Sequence, residues 1–253
     1  MQFQTVPADA APSTPKLSLS LASTPEEVRE VQRLRYKIFI ENNGLSALAN
    51  EEELDADEFD AHCDHLIVRD SSTLDAVGTY RVLGPSGMLK LGRCYSDGEF
   101  DLSRLAYLRG RMVEAGRACI HPDYRSGGVI MMLWAGLADY MRRNGCDYLA
   151  GCASISLTDG EENAASLYHA LAKTHLSPAE YRVTPHLAFP TGEPEPRRQH
   201  QVPPLVKGYL RSGAWICGEP AWDQEFHCVD MFMLLPLANL DGRYARRYLT
   251  EKP

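Results

Sequence analysis

Glu114 and Arg117 stand three residues apart in the run Met112–Ile120, which reads as a strand. A carboxylate in such a place can prepare an amine for attack. An α-amino group with a pKa near roughly 8 is largely protonated at neutral pH and is nucleophilic only when neutral. Taking that proton directly or through a water is worth on the order of 10²–10⁴-fold, and holding both reactants together adds to it. Glu114 is therefore the candidate base, or the group that binds the incoming ammonium. Arg117 would orient Glu114 or bind an acceptor carboxylate. In a regular strand the two side chains point to opposite faces; Gly116 between them permits a bulge that would re-aim one of them. The competing reading is an ordinary salt bridge on a strand. Cys119 and Cys152 could serve as nucleophiles, but no neighbouring His in sequence would activate either, and packing is the better reading.

The strand runs into His121-Pro122-Asp123-Tyr124-Arg125-Ser126-Gly127-Gly128 and then directly into a helical pattern. A loop of this kind exposes backbone N–H groups beside a positive helix N-terminus, an arrangement suited to phosphate. Arg125 can close on the same anion, so Arg125, Ser126, Gly127 and Gly128 form the candidate phosphate site. A tight Gly-Gly turn is the bland alternative. The Lys and glycine spacing of a Walker A loop or a dinucleotide fingerprint are missing.

A third group of charges lies upstream. Arg35 and Phe39 sit on a predicted helix, Asp57, Asp60 and Asp64 follow in an acidic loop, and Arg81 lies on a predicted strand. Solvated surface is the commoner fate of each. Yet a cationic amino acid needs carboxylates for its amines and an arginine for its carboxylate. His62, Cys63 and His65 lack a fourth ligand at finger-like spacing, so no metal site is expected.

The elements that must position these residues are legible in part. Thr24 as N-cap, Pro25 and Glu27 open a helix that Val28, Val31, Leu34 and Ile38 carry to Glu41. His65–Asp70 and Ala76–Leu83 form a hairpin across Ser71–Asp75. Gly84–Gly92 reads as a loop, and Phe100–Tyr107 carries no clear period. Val129–Arg143 reads as a helix closed by Asn144-Gly145, Tyr148–Leu157 as a strand and Glu161–Ala172 as a helix. A Pro-rich stretch, Thr174–Pro204, reads as an insertion or an active-site flap. A helix at Leu205–Arg211, strands at Ala214–Cys217 and His227–Leu235, and a basic helix at Gly242–Leu249 complete the chain. Mixed hairpin and crossover signals indicate a single α/β (α+β) domain over residues 21–253, preceded by a flexible tail, 1–20.

At 253 residues and 44% hydrophobic, the chain can bury a core without staples. Its seven scattered cysteines suit a reducing compartment rather than a disulfide framework. A net charge of −8 argues against general nucleic-acid binding. The N-terminal residues lack the basic and apolar regions of an export signal, and the longest apolar run, Val129–Ala138, is too short to span a bilayer. A cytoplasmic protein is expected. Arg104, Arg109 and Arg111, with Arg142 and Arg143, form either a basic face for an acidic partner or an ordinary solvated charged surface. Arg243, Arg246 and Arg247 could touch anionic lipid, giving peripheral contact at the inner membrane.

The strand, phosphate loop and helix resemble the acyl-donor pocket of the GNAT acyltransferases, which implies a central mixed, mostly antiparallel sheet flanked by helices. In that pocket Ile130 stands where a small residue is expected, a departure that favours the single phosphate of 4′-phosphopantetheine over coenzyme A. Arg35-Tyr36-Lys37-Ile38-Phe39, Phe59-Asp60-Ala61-His62-Cys63-Asp64-His65-Leu66, Val77-Gly78-Thr79-Tyr80-Arg81-Val82-Leu83 and Glu114-Ala115-Gly116-Arg117 resemble the bacterial L-ornithine N-acyltransferases. Further matches are Leu133–Tyr140, Gly151–Ser154, Pro203–Arg211 and Asp223–Asp230. A weaker pattern is similar to the acyl-homoserine lactone synthases. The resemblance implies functional roles for Arg35, Phe39, Asp60, Asp64, Arg81, Glu114 and Arg117. It also implies ornithine as acceptor, acyl carrier protein as partner and acyl donor, a lyso-ornithine lipid product, and no tightly bound cofactor. The other readings are an acyl-homoserine lactone or other N-acyl amino acid synthase, an ordinary acetyltransferase, and a catalytically silent binder of carrier protein or lipid.

Overall fold

The computed structural model describes residues 16–42, 45, 48–192 and 201–240. The chain opens with strand β1 (Leu17–Leu21) and helix α1 (Pro25–Tyr36). The expected tail therefore ends earlier than residue 20, because Leu17 and Leu19 pack on the core while β1 pairs along β2 (Asp64–Asp70). Thr24 caps α1, its hydroxyl accepting from the Glu27 N–H at 3.2 Å, and Glu27 reaches back to the Ser23 N–H at 2.7 Å. The helical path continues to Glu41 as expected, but its last stretch, Lys37–Glu41, is π-helical. A π turn shifts the phase of the side chains: Ile38 and Ile40 are buried, while Phe39 faces a cavity.

β2 and β3 (Ala76–Leu83) form the expected hairpin. The next segment corrects the sequence reading, since Pro85–Leu91 is helix α2 and not a loop. Pro85 at its first position and Gly92 at φ 72° after its end are the usual boundary residues of a short helix. The untyped segment resolves into β4 (Phe100–Asp101) and a 3₁₀ stretch, Ser103–Arg111. Then follow β5 (Met112–Ile120), α3 (Gly128–Arg143), β6 (Tyr148–Ser156) and α4 (Glu161–His175). β7 (Thr184–Pro185), α5 (Pro204–Ser212), β8 (Trp215–Ile216), β9 (Ala221–Asp223) and β10 (Cys228–Pro236) close the described chain.

The described part of the Pro-rich stretch is tied down rather than free to swing. β7 pairs with β4, the Ser177 N–H donates to Ile216 O at 2.9 Å, and the Val183 N–H donates to Cys217 O at 2.7 Å. The predicted C-terminal helix at Gly242–Leu249 lies outside the described residues.

One sheet runs in the order β1-β2-β3-β5-β6-β10-β8, with β9 beside β10. Among the described strands of this sheet only the β5–β6 pair is parallel; the other pairs are antiparallel. Alternation along β10 shows how the sheet divides its core. Val229, Met231, Met233 and Leu235 enter the cluster beneath α3, α4 and α5, and Phe232 and Leu234 enter the cluster with Phe100, Leu105 and Met112 on the other face. Strands buried on both faces read as continuous apolar runs.

Candidate active site

The pairing of β3 with β5 slips at one point. Thr79 faces Cys119, whereas Arg81, two residues on, faces Gly116, three residues back. The extra residue of β5 belongs to a bulge, and Arg117 carries the left-handed backbone, φ 52°. The core records the same slip: Val113 and Ala115 pack on the α3 side, and the next residues to do so are Ala118 and Ile120. Glu114 and Arg117 consequently come to one cavity. The bulge expected at Gly116 exists, and the strained position is its neighbour.

Beside the bulge the sheet parts. β5 and β6 pair at Met112–Tyr148, Val113–Leu149 and Glu114–Ala150, and at no later position. Gly151 sits at the parting point, where an added Cβ would lie 2.3 Å from the Ala115 carbonyl oxygen. A cavity of 610 Å³ opens here. Its wall includes Ala115, Ala118, Tyr80 and Leu205 from the α3 side and Phe59, Tyr95 and Cys152 from the other, so it passes through the split in the sheet.

Glu114 forms part of this wall, 5% exposed. Its carboxylate accepts the Tyr95 N–H at 2.6 Å and the Ser96 N–H at 2.8 Å. Burial pushes its pKa above the ordinary value, with hydrogen bonds from Ser96 and Tyr95 and the charge of Arg81 only partly offsetting this. Arg117 does not pair with Glu114, so the competing reading of an ordinary salt bridge on the strand does not hold. Its Nη1 donates to the Tyr95 hydroxyl at 3.0 Å, and its guanidinium lies 3.3 Å from Asp55 and 3.6 Å from Asp57. The rings of Tyr95 and Phe226, 4.9 and 4.8 Å from the guanidinium carbon, hold it from two sides. Burial opposes its charge, but Tyr95, Asp55 and Asp57 outweigh that and raise its pKa.

The other predicted acceptor residues divide. Phe39 and Arg81 line the cavity. Arg35 and Asp60 do not; they form a buried network behind it. Arg35 is fully buried and donates to both Asp60 oxygens, at 2.9 and 2.8 Å, with Asp55 at 2.8 Å from its Nε. Arg81 pairs with Asp57 at 2.6 Å and Asp60 at 3.3 Å, and Gln32 donates to Asp60 at 3.1 Å. Burial works against the Asp60 carboxylate, but Arg35 and Arg81 hold its pKa below the usual range. This network pins the acidic loop to α1 and β3. Asp64 is exposed and accepts the Tyr140 hydroxyl at 2.7 Å, away from the cavity wall.

A second group of acids was not singled out from the sequence. Asp223, Cys228 and Asp230 share the cavity wall, their ligand atoms within 4.8 Å of one another. In β9–β10 pairing Cys228 faces Asp223, and Asp230 faces Ser154 of β6. Burial first, then the charge of Asp223, raises Asp230 to about 6, against a hydrogen bond from Ser154. The available signal was a carboxylate at 230 within the apolar run Cys228–Leu235. Cys152 faces the same cavity beside Ser96 at 3.2 Å; burial raises its thiol far above the ordinary value, which leaves it a poor nucleophile.

Arg125, Ser126, Gly127 and Gly128 form the expected turn into α3, with Gly127 at φ 104° and the Arg125 Nε donating to Ile120 O at 3.3 Å. They follow the end of β5 and do not line the cavity. The expected basic face is partly neutralised in three dimensions. Arg109 pairs with Asp97 at 2.7 Å, Arg111 pairs with Asp147, and Arg142 and Arg143 both pair with Asp139. No helix among the described residues is long and apolar enough to cross a membrane.

Residues 34–135 match the family model described as acetyltransferase (GNAT) domain. In fold the protein is similar to the crystal structure of the AHL synthase LasI, with a TM-score of 0.55 at 12% identity over 95% of this chain and 100% of that one. An L-ornithine N(alpha)-acyltransferase of Rhodobacter capsulatus is 35% identical over 91% of this chain and 93% of its own length. Another of that name, from Brucella abortus, is 33% identical over 93% of this chain and 89% of its own. The bulged strand, the split sheet and this near full-length similarity agree: the chain is an acyltransferase and belongs to the L-ornithine N(alpha)-acyltransferase family.

Proposed function

We propose that the protein moves a 3-hydroxy fatty acyl group from the phosphopantetheine thioester of acyl carrier protein to the α-amino group of L-ornithine, giving lyso-ornithine lipid. The observation that carries this reading is the cavity through the split between β5 and β6, with Glu114 in its wall. The split would let a donor arm approach from one face and the amine from the other. The turn Arg125–Gly128 and the start of α3 would receive the donor phosphate at the end of β5.

In the reaction Glu114 takes a proton from the α-ammonium. The freed nitrogen attacks the thioester carbonyl, a C–N bond forms and the C–S bond breaks. The nitrogen loses its second proton and the departing thiolate gains one. A raised carboxylate pKa suits this step, because the base then matches the amine more closely. The guanidinium of Arg117, held between two aromatic rings, would bind the acceptor carboxylate. On this reading the enzyme works in the cytoplasm, where carrier protein supplies the chain, and releases an amphiphilic product to the inner membrane.

The test incubates purified protein with 3-hydroxyacyl carrier protein or the matching acyl coenzyme A, and with ornithine, lysine, glycine or S-adenosylmethionine, and identifies products by mass. N-acyl ornithine formed from the carrier thioester is expected. Acyl transfer to S-adenosylmethionine or glycine in preference to ornithine would overturn the acceptor, and equal use of coenzyme A would overturn the donor.

A further inference from the structure

The charges around the cavity do not balance, and the imbalance has a place. Arg35, Arg81 and Arg117 are matched by Asp55, Asp57 and Asp60, with which they form the ion pairs already described. Glu114, Asp223 and Asp230 remain, all on the cavity wall. Asp223 spends one oxygen on the Phe226 N–H at 2.9 Å. Asp230 is 4% exposed and has the Cys228 thiol 3.7 Å from one oxygen. Among the described residues no cation is ion-paired with either carboxylate.

Glu99 registers the same uncompensated charge from outside the cluster. Burial, then the charges of Asp223 and Asp230, push it up to about 7, with His186 opposing. Arg117, the cation felt at Asp230, is turned toward Asp55, Asp57 and Tyr95 and forms no ion pair with Asp223 or Asp230. A buried carboxylate that faces a cavity without a counter-ion is completed when a ligand brings one.

We propose that Asp230, supported by Asp223, forms the subsite for the side-chain ammonium of the acceptor and so selects a diamino acid over an uncharged amino acid of the same length. The inference rests on the function proposed above. Three groups of one acceptor meet three parts of one wall: the carboxylate meets Arg117, the α-amine meets Glu114, and the terminal ammonium meets Asp230. The clustered strands β6, β9 and β10 fix Asp230 and Asp223 in register, so the subsite is held by backbone pairing rather than by a loop. A site built to pair a charged group discriminates strongly against an acceptor that lacks it, because its own carboxylates are then left buried and unpaired.

The experiment measures kcat/KM for L-ornithine and L-norvaline, which share a carbon chain but differ in the terminal amine, with one acyl donor. Wild-type protein should prefer ornithine by about 100-fold or more. In Asp230→Asn that preference should fall by about 10–100-fold. Asp223→Asn carries the same comparison if the first variant does not fold. An unchanged ornithine preference in a folded variant overturns the subsite while leaving acyl transfer to ornithine intact. Wild-type protein that makes no N-acyl ornithine overturns the function and the inference with it. An ornithine preference that is lost on dialysis against a chelator and restored by a divalent metal would assign Asp223, Cys228 and Asp230 to that metal instead, and would overturn the proposal.

Discussion

Glu114 and Arg117 reach the same cavity although three residues separate them on one strand, because β5 carries one extra residue between Arg81 and Thr79 of its neighbour, with Arg117 at φ 52°. A regular strand would send Arg117 among Val113 and Ala115, into apolar packing. The bulge costs a ladder bond and some backbone strain, and it brings a cation to the face that holds the Glu114 carboxylate.

Glu114→Gln should lower kcat by about 10²–10⁴-fold with a folded protein, read from steady-state turnover beside a melting curve. Burial first, eased by the Ser96 and Tyr95 hydrogen bonds, raises the Glu114 pKa. In the proposed reaction the basic form is the working one, so wild-type activity should fall as pH drops through a value above the usual carboxylate range. Wild-type rates in the variant would remove Glu114 from the chemistry.

Gly151→Ala tests the parting of the strands. The new methyl would lie 2.3 Å from the Ala115 carbonyl oxygen, in backbone that cannot simply rotate away. A loss of about 1–3 kcal/mol in stability is expected, measured by denaturant unfolding. A variant as stable as wild type would mean that β5 and β6 separate without resistance.

Arg35→Ala should act through stability. It leaves Asp55 and Asp60 buried without their strongest partner, a loss of about 3–5 kcal/mol. The Asp60 pKa is depressed by Arg35 and Arg81 against the effect of burial, so this contribution is present above its unfolded value of 3.8 and is lost as pH falls through the lower folded value. The variant should thus melt well below wild type at neutral pH, with the gap closing in acid. A normal melting temperature with a raised acceptor KM would instead return Arg35 to the binding role expected from sequence.

Asp230→Asn should stabilise the protein at neutral pH. Asp230 stands opposite Ala221 and Ser154 on the neighbouring strands, with the Asp223 and Cys228 ligand atoms within 4.8 Å and the charge of Arg117 also acting on it. Burial and Asp223 lift it from 3.8 to about 6. The folded state therefore keeps a proton that the unfolded chain releases, and the wild type loses that stability as pH rises through about 6. The stability of the variant should gain on that of wild type as pH rises from 3.8 to about 6 and level off above that, by at most about 3 kcal/mol in all, read from melting curves across the range. A difference that does not change with pH would show that Asp230 titrates normally.

The sequence by itself determined more of the frame than of the site. Thr24, Pro25 and Glu27 fix the start of α1 through local hydrogen bonds, and the turn after β5 follows from Gly127 and Gly128, so both were legible. Strands Met112–Ile120 and His227–Leu235 announced themselves by apolar content, and the first of them named Glu114 and Arg117. The slip from Ala115 to Ala118 in the apolar pattern even encoded the bulge, though only a partner strand shows that the extra residue is Arg117. Tertiary structure alone decided which charges meet. Arg35 and Asp60 are far apart in sequence and became a buried pair, whereas Asp223 and Asp230 became an acidic end of the cavity by pairing β9 with β10 beside β6. Helix caps and turns depend on atoms a few residues apart, so a sequence carries them openly. The neutralisation of a charge depends on which strands lie side by side, and that is settled only when the sheet has formed.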